Sequence, residues 1–448
     1  MFDKILIANR GEIAVRIIRA ARELGIKTVA VYSEADSEAL HTNLADEAIC
    51  IGPEKSALSY LNMQNILSAA VLTGAEAIHP GFGFLSENSK FARMCNECNI
   101  KFIGPKGDTI DRLGNKSNAK DLMKKANVPV IPGSDGVIDS LEQGLEFSKS
   151  IGFPVMIKAS SGGGGRGMRL AKNEEEFIKG FKAAKSESLA CFGDDEVYIE
   201  KFVENPRHIE FQILGDEYGN IVYLGERDCS IQRRNQKVLE EAPSPVMSEN
   251  LRKTMGEAAS RAAKAANYEN AGTIEFLLDK YGKFYFMEMN TRIQVEHPIT
   301  EMVTGIDLVK EQIKIAYGEK LSFSQQDIKI NGVSIECRIN AENPDKNFRP
   351  SPGKIERLIV PGGPGVRLDS AAYQGYFIPP LYDSMIGKLI VHGKDRAEAI
   401  SRMKRALGEF IIEGVDNNIG FQIRILNNDK FQKGDYNTGF IRDEMNIK

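Results

Sequence analysis

The segment Thr273-Ile274-Glu275-Phe276-Leu277-Leu278-Asp279-Lys280-Tyr281-Gly282-Lys283-Phe284-Tyr285-Phe286-Met287-Glu288-Met289-Asn290 sets two carboxylates and an amide among apolar residues. With Tyr281-Gly282 as a two-residue turn, it folds back as a hairpin and Glu275 faces Glu288. Asn290 follows Glu288 on the same face by the period of two. Like charges directly opposite repel, and a hard cation that also binds phosphate oxygens relieves the repulsion. Glu275, Glu288 and Asn290 are therefore candidate ligands for Mg²⁺ or Mn²⁺. A solvated acidic pair is the plain alternative. Phe276, Leu277, Phe284 and Phe286 argue against it, because they imply a partly buried ribbon.

Asn290-Thr291-Arg292-Ile293-Gln294-Val295-Glu296-His297-Pro298 comes next. Arg292 offers a planar fork for a small oxyanion, and Glu296 can accept a proton. His297 reads as readily as a structural residue. Upstream, Lys158 ends an apolar run and is followed by Gly162-Gly163-Gly164-Gly165-Arg166-Gly167. Side-chain-free backbone lets N–H groups approach phosphate oxygens, and a lysine adds a point charge. The Gly-Lys-Ser/Thr ending of a Walker A loop is absent, so this is a phosphate-covering loop of another kind. The polar run Glu226–Lys237 reads by itself as a solvated loop, with Cys229 an accessible thiol. Cys95-Asn96-Glu97-Cys98 has no second pair at zinc spacing and sits in a helical pattern, so it carries no metal or redox expectation.

These residues need elements to hold them. Lys4–Ala8 and Lys27–Tyr32 read as strands around a helix over 11–24, with Gly25 as its stop. A helix near 61–72, a strand at 75–78, a helix near 87–98 and a strand at 101–103 continue the alternation, which indicates a parallel sheet. The first strand–helix turn, Asn9-Arg10-Gly11-Glu12, lacks the G-x-G-x-x-G fingerprint, so no dinucleotide site is expected. After the connector 128–134 come strands at 154–159, 196–202 and 208–214 and helices near 174–188 and 251–266. Beyond about 317, strands at 333–340 and 388–392 precede a helix at 397–410. A chain of 448 residues implies several domains. Its net charge of −4 without a basic tract leaves nucleic acid and membrane surfaces without electrostatic support. Six scattered cysteines fit a reducing compartment, and no signal peptide or spanning segment is evident, so the cytoplasm is the expected location.

The motifs, in order, resemble those of the biotin carboxylases, enzymes of the ATP-grasp type. The resemblance runs from Ile7-Ala8-Asn9-Arg10-Gly11-Glu12 through His79-Pro80-Gly81-Phe82-Gly83-Phe84-Leu85-Ser86-Glu87-Asn88 and the glycine-rich loop. It continues through Arg227-Asp228-Cys229-Ser230, Gln236-Lys237, the Glu288–Pro298 run and Glu336-Cys337-Arg338-Ile339-Asn340 to Tyr382-Asp383-Ser384-Met385-Ile386-Gly387-Lys388. It implies an α/β and α+β multidomain fold. A Rossmann-like N-terminal parallel-sheet domain would occupy 1–114 and an ATP-grasp region 115–317, with a mobile glycine-rich lid at 131–203. A C-terminal α+β domain would occupy 318–448.

The resemblance also implies roles. ATP would lie between the two halves of the grasp, with Lys116 and Lys158 on its phosphates and Gly164 and Gly165 closing over them. Glu200, Lys201 and Val203 would line the adenine, with His208, Gln232 and Asn235 also at the nucleotide. Glu275, Glu288 and Asn290 would hold Mg²⁺. Lys237, Arg292, Gln294 and Val295 would bind bicarbonate, Glu296 would be the base, and Arg338 would face the ureido oxygen of biotin. Asn235 stands where familiar members carry histidine, and Phe82 where tyrosine is common. The implied reaction is ATP- and bicarbonate-dependent carboxylation of carrier-bound biotin, in an acetyl-CoA carboxylase serving fatty-acid synthesis. No biotinyl-lysine context is present, so a biotin carboxyl carrier protein and carboxyltransferase subunits are expected as separate chains, with a homodimer by family analogy. The competing readings are an ATP-grasp ligase with a non-biotin acceptor and a catalytically silent ATP-binding subunit.

Overall fold

The structure, a computed structural model, describes residues 1–159, 168–192 and 195–445, leaving aside the side chains of 116, 117, 159 and 190–192. Gly164, Gly165 and the rest of the glycine-rich loop lie outside the described residues. The chain divides into two compact units. One comprises 1–128, 207–276 and 288–448, the other 129–206 and 277–287.

In the larger unit, Lys4–Ile7, Lys27–Tyr32, Glu47–Cys50, Ala77–His79 and Lys101–Phe102 form a parallel five-stranded sheet. Lys4–Ile7 lies at its centre, where Ile5, Leu6 and Ile7 are buried, as a short apolar run with helical crossovers requires. Helix Gly11–Glu23 buries Ile13, Ile17, Ala20 and Ala21 and ends where Gly25 takes φ +76°. Burial also reaches Glu12 and Arg16, so the helix is covered on more than the predicted stripe.

An eight-stranded sheet follows the order Phe284–Asn290, Asn270–Leu278, Arg207–Gly215, Ile221–Arg233, Gln236–Ala242, Val333–Asn340, Met385–Gly393, Val366–Ser370. From Arg207–Gly215 onward all neighbours are antiparallel. Helix Arg396–Glu409 contributes Ala399, Ile400, Met403 and Ala406 to a core shared with Ile335, Cys337, Leu389 and Val391. Among the described residues no helix is long and apolar enough to cross a membrane.

Two expectations are corrected. The run Glu226–Lys237 is not a solvated loop: it is most of a buried strand, a tight turn and the start of the next strand. Its fully buried charges each meet a partner, Arg227 with Glu210, Asp228 with Arg207 and Glu226 with Arg252. The hairpin turn after Leu278 holds three residues, not two. Asp279 N donates to Lys283 O (2.8 Å), Gly282 N donates to Asp279 O (3.1 Å), and Gly282 takes φ +80°. The Asp279 carboxylate accepts from the amides of Tyr281 and Lys283, which draws Asp279 into the turn. The face-to-face register drawn for Glu275 and Glu288 therefore does not follow from the turn.

The smaller unit has a three-stranded antiparallel sheet with Val155–Ala159 between Met168–Ala171 and Val197–Lys201. Helices Leu141–Ile151 and Glu174–Phe192 accompany it, over a core that includes Ile138, Val155, Ile157, Phe177, Phe181 and Ile199.

Candidate active site

Strand Arg207–Gly215 alternates His208, Glu210 and Gln212 with Ile209, Phe211 and Ile213, and all six are buried. The polar face of that alternation starts the site. Arg227, directly across from Glu210, is fully buried and its five N–H groups make five hydrogen bonds. They reach Glu210 (2.5 Å), Gln212 (2.8 Å), Thr300 (3.0 Å), Thr273 (3.2 Å) and Gln294 (2.8 Å). A guanidinium so engaged is a fixed frame rather than a reagent.

Lys237 Nζ sits among three carboxylates: Glu210 at 2.5 Å, Glu296 at 2.6 Å and Glu275 at 3.1 Å. The other oxygen of Glu296 accepts from Arg338 Nη2 (2.8 Å), and Arg338 Nε donates to Glu240 (2.6 Å). Burial alone would push the Glu296 carboxyl up, but Lys237, Arg338 and Arg227 hold it well below the usual carboxylate range. It is therefore ionised at neutral pH, as a proton acceptor must be. Burial opposes the charge on Lys237, yet the surrounding anions hold its pKa well above normal.

Glu275 Oε1 accepts from Gln294 Nε2 (2.8 Å) and Asn290 Nδ2 (3.0 Å), while His208 Nε2 lies 2.9 Å from Oε2. Lys237 and His208 outweigh burial and keep this carboxyl low. Donor atoms of His208, Glu210 and Glu275 gather closely enough to hold a cation. Glu288 lies two residues before Asn290 on the same strand, its side chain half-buried. Arg292 Nε donates to Glu87 Oε2 (2.9 Å) and Nη2 to Asn290 Oδ1 (3.0 Å). Glu87 Oε1 also accepts from the Thr291 amide (3.0 Å), so one N-terminal carboxylate sets the start of the Thr291–Glu296 run.

Other expected residues lie as follows. Gln232 stands opposite Lys237 in register, half-buried. Arg234 and Asn235 form the tight turn between their strands, at φ +49° and +65°, and Asn235 is exposed. Asparagine tolerates the left-handed region, which explains its acceptance there. Phe82 is half-buried in the core of the larger unit, and its carbonyl accepts from Asn9 Nδ2 (2.7 Å). Lys116 opens helix Lys116–Lys125. In the smaller unit Lys158 pairs with Glu200, and Lys201 Nζ donates to the carbonyls of Gly152 (2.8 Å) and Phe153 (2.9 Å). Val203 follows strand Val197–Lys201, half-buried.

Cys229 is corrected: it is buried, with Sγ 4.0 Å from Glu296 Oε1, and burial pushes its thiol well up. It is not an accessible thiol. His297 is buried, its Nδ1 2.8 Å from Gln294 O, and burial with nearby Lys388 and Arg16 holds it neutral. Burial pushes the Cys95 thiol to about 12.

Residues 1–110 match the family described as "Biotin carboxylase, N-terminal domain" and residues 336–443 "Biotin carboxylase C-terminal domain". Between them, residues 115–324 match "Carbamoyl-phosphate synthase L chain, ATP binding domain". A biotin carboxylase of Nostoc sp. is 62% identical over 445 residues, 99% of this chain and 99% of the relative. The chain belongs to the biotin carboxylase family. Like the other biotin carboxylases, it is a ligase-type carboxylase with an ATP-grasp domain, and its fold class is the one expected from sequence. Another relative, biotin carboxylase 1 of Bacillus subtilis, is 59% identical over 442 residues, 98% of this chain and 98% of its own length. The biotin carboxylase domain dimer of Hydrogenobacter thermophilus 2-oxoglutarate carboxylase, solved with MgADP, ADP and bicarbonate, is 52% identical with a TM-score of 0.90. The match covers 100% of this chain and 98% of that one.

Sequence reasoning missed Glu210, Arg227, Glu240 and Glu87 as working parts of this site. For the first, the signal was present: polar residues at every second position of an otherwise apolar strand.

Proposed function

We propose that this chain carboxylates biotin on a carrier protein with ATP and bicarbonate, through carboxyphosphate. The observation that carries the reading is Glu296, buried, with one carboxylate oxygen accepting from Lys237 and the other from Arg338. Bicarbonate and ATP are both anions, so their approach needs cations placed in advance. Lys237, Arg292 and the Gln294–Val295 segment hold bicarbonate, and Glu296 takes its proton as its oxygen attacks the γ-phosphorus and ADP leaves, giving carboxyphosphate. Carboxyphosphate then releases CO₂, and the phosphate deprotonates biotin N1′. Arg338 turns from Glu296 to the ureido oxygen and stabilises the enolate charge, whose N1′ then attacks the CO₂ to give carboxybiotin.

Oxygen donors from Glu275, Glu288 and Asn290 suit a hard divalent cation, and Asn290 lies against the Glu275 carboxylate, as that assignment asks. Mg²⁺ (or Mn²⁺) there would supply charge neutralisation on the nucleotide phosphates. For the nucleotide we assign Lys116, Lys158, Gly164 and Gly165 to the phosphates. Glu200, Lys201, Val203, His208, Gln232 and Asn235 are assigned to its remaining contacts. The functional divisions proposed are 1–114, 115–317 with a lid at 131–203, and 318–448.

At the finer level the reading is an acetyl-CoA carboxylase component of fatty-acid synthesis. It would act in the cytoplasm as a homodimer, with separate carrier and carboxyltransferase chains. ADP release with Mg-ATP and bicarbonate tests it. Strong stimulation by free biotin is expected. Hydrolysis indifferent to biotin would mean another ATP-grasp acceptor, and ATP binding without hydrolysis a silent subunit.

A further inference from the structure

Lys388 has no part in the assignments above, yet it is fully buried in the same sheet, in register with Arg338. Its Nζ donates to the Val295 carbonyl (2.8 Å) and lies 3.1 Å from Glu12 Oε1. Asp369, its neighbour on the next strand, is 4.0 Å away and is already gripped by Arg367 through Nε (2.8 Å) and Nη2 (2.7 Å). Val295 O and Glu12 thus lie nearer the ammonium than Asp369 does. The Glu12 carboxylate makes no aligned hydrogen bond of its own, and Lys388 is its charge partner.

A buried ammonium is costly, and an apolar side chain of similar length would pack there more cheaply. Two cations side by side, Arg338 and Lys388, add repulsion. The structure carries this cost at the carbonyl that joins directly to the Glu296 peptide. The rest of that segment is held elsewhere: Arg227 grips the Gln294 side chain, and the His297 ring contacts the Gln294 carbonyl. Without Lys388 the Val295 carbonyl loses its donor, and the backbone that aims Glu296 loses its third tether.

We propose that Lys388, held by Glu12, is a positioning residue that fixes the Val295–Glu296 peptide and so aims the base at bicarbonate. The inference rests on the proposed function above. Lys388→Met in the full-length chain should lower kcat/KM for bicarbonate by about tenfold to a hundredfold, while MgADP affinity stays within about twofold. Glu12→Gln keeps the volume and removes the charge. It should cause a smaller loss, about threefold to tenfold, with the same bicarbonate selectivity. Should Lys388→Met fail to fold, Glu12→Gln decides by the same two readouts. Unchanged bicarbonate kinetics, or an equal loss in nucleotide affinity, would overturn the proposal. Wild-type protein without biotin-stimulated turnover would instead overturn the function on which it rests.

Discussion

The eight-stranded sheet, most of whose strands belong to the larger unit, and the three-stranded sheet of the smaller one hold their charged residues in opposite ways. In the first, Lys237 meets three carboxylates, Arg338 two, and Arg227 satisfies all five donors in full burial. In the second, Lys158 reaches Glu200 from a half-buried position on a small sheet. The first arrangement costs desolvation and returns fixed geometry in a low-dielectric setting. Proton removal from bicarbonate and stabilisation of an enolate need that fixity. The smaller sheet, its Lys158–Glu200 pair only half-buried, gives up that fixity for easier adjustment.

The contrast can be broken most severely at its centre. Glu296→Gln should lower biotin-dependent ADP release by about 10²–10⁴-fold, with MgADP binding within about twofold by calorimetry. Next comes the frame. Arg227→Met strands Glu210 without its cross-strand cation and should destabilise the protein by about 3–5 kcal/mol in urea unfolding. The matching change in the smaller unit, Lys158→Met, should cost under about 1 kcal/mol and appear instead as a raised ATP KM.

A pH series sharpens the comparison at the far edge of the larger sheet. Burial would raise the Asp369 carboxyl, but Arg367 holds it at about 2 against an ordinary value of 3.8. The unfolded chain then binds more protons between those values, so this stabilisation is present above about pH 4 and is lost as pH falls toward 2. Asp369→Asn should be less stable than wild type by about 2 kcal/mol at pH 6, and the gap should shrink below about pH 4 in urea midpoints. The smallest effect is expected at Asn235→His. Both residues accept the left-handed turn, so stability should shift by under about 0.5 kcal/mol, while the ATP KM changes by a few-fold.

Much of this was legible in the sequence. Short apolar runs and stripes of period 3.6 located Lys27–Tyr32 and Val333–Asn340 to the residue, and helix Gly11–Glu23 to within one. Glu275, Asn290, Arg292, Gln294 and Glu296 could be picked out and do come together, the first four through direct hydrogen bonds and Glu296 through Lys237. What was not legible is how charge survives inside a sheet. The run Glu226–Lys237 reads as a loop because the partners of its buried charges, Glu210, Arg207 and Arg252, are far away in sequence. The turn after Leu278 was misjudged for a local reason, since Asp279 competes for backbone donors and adds a residue to the loop.

If Glu296 deprotonates bicarbonate, replacing it should stop carboxylation while sparing nucleotide capture. The most direct measurement is transfer of carbon from labelled bicarbonate into carboxybiotin, by wild type and Glu296→Gln, each saturated with Mg-ATP. Label in carboxybiotin is expected with wild type and almost none with the variant, both binding nucleotide equally. Label transferred at the wild-type rate by Glu296→Gln, or none by wild type that still turns over ATP, would contradict it.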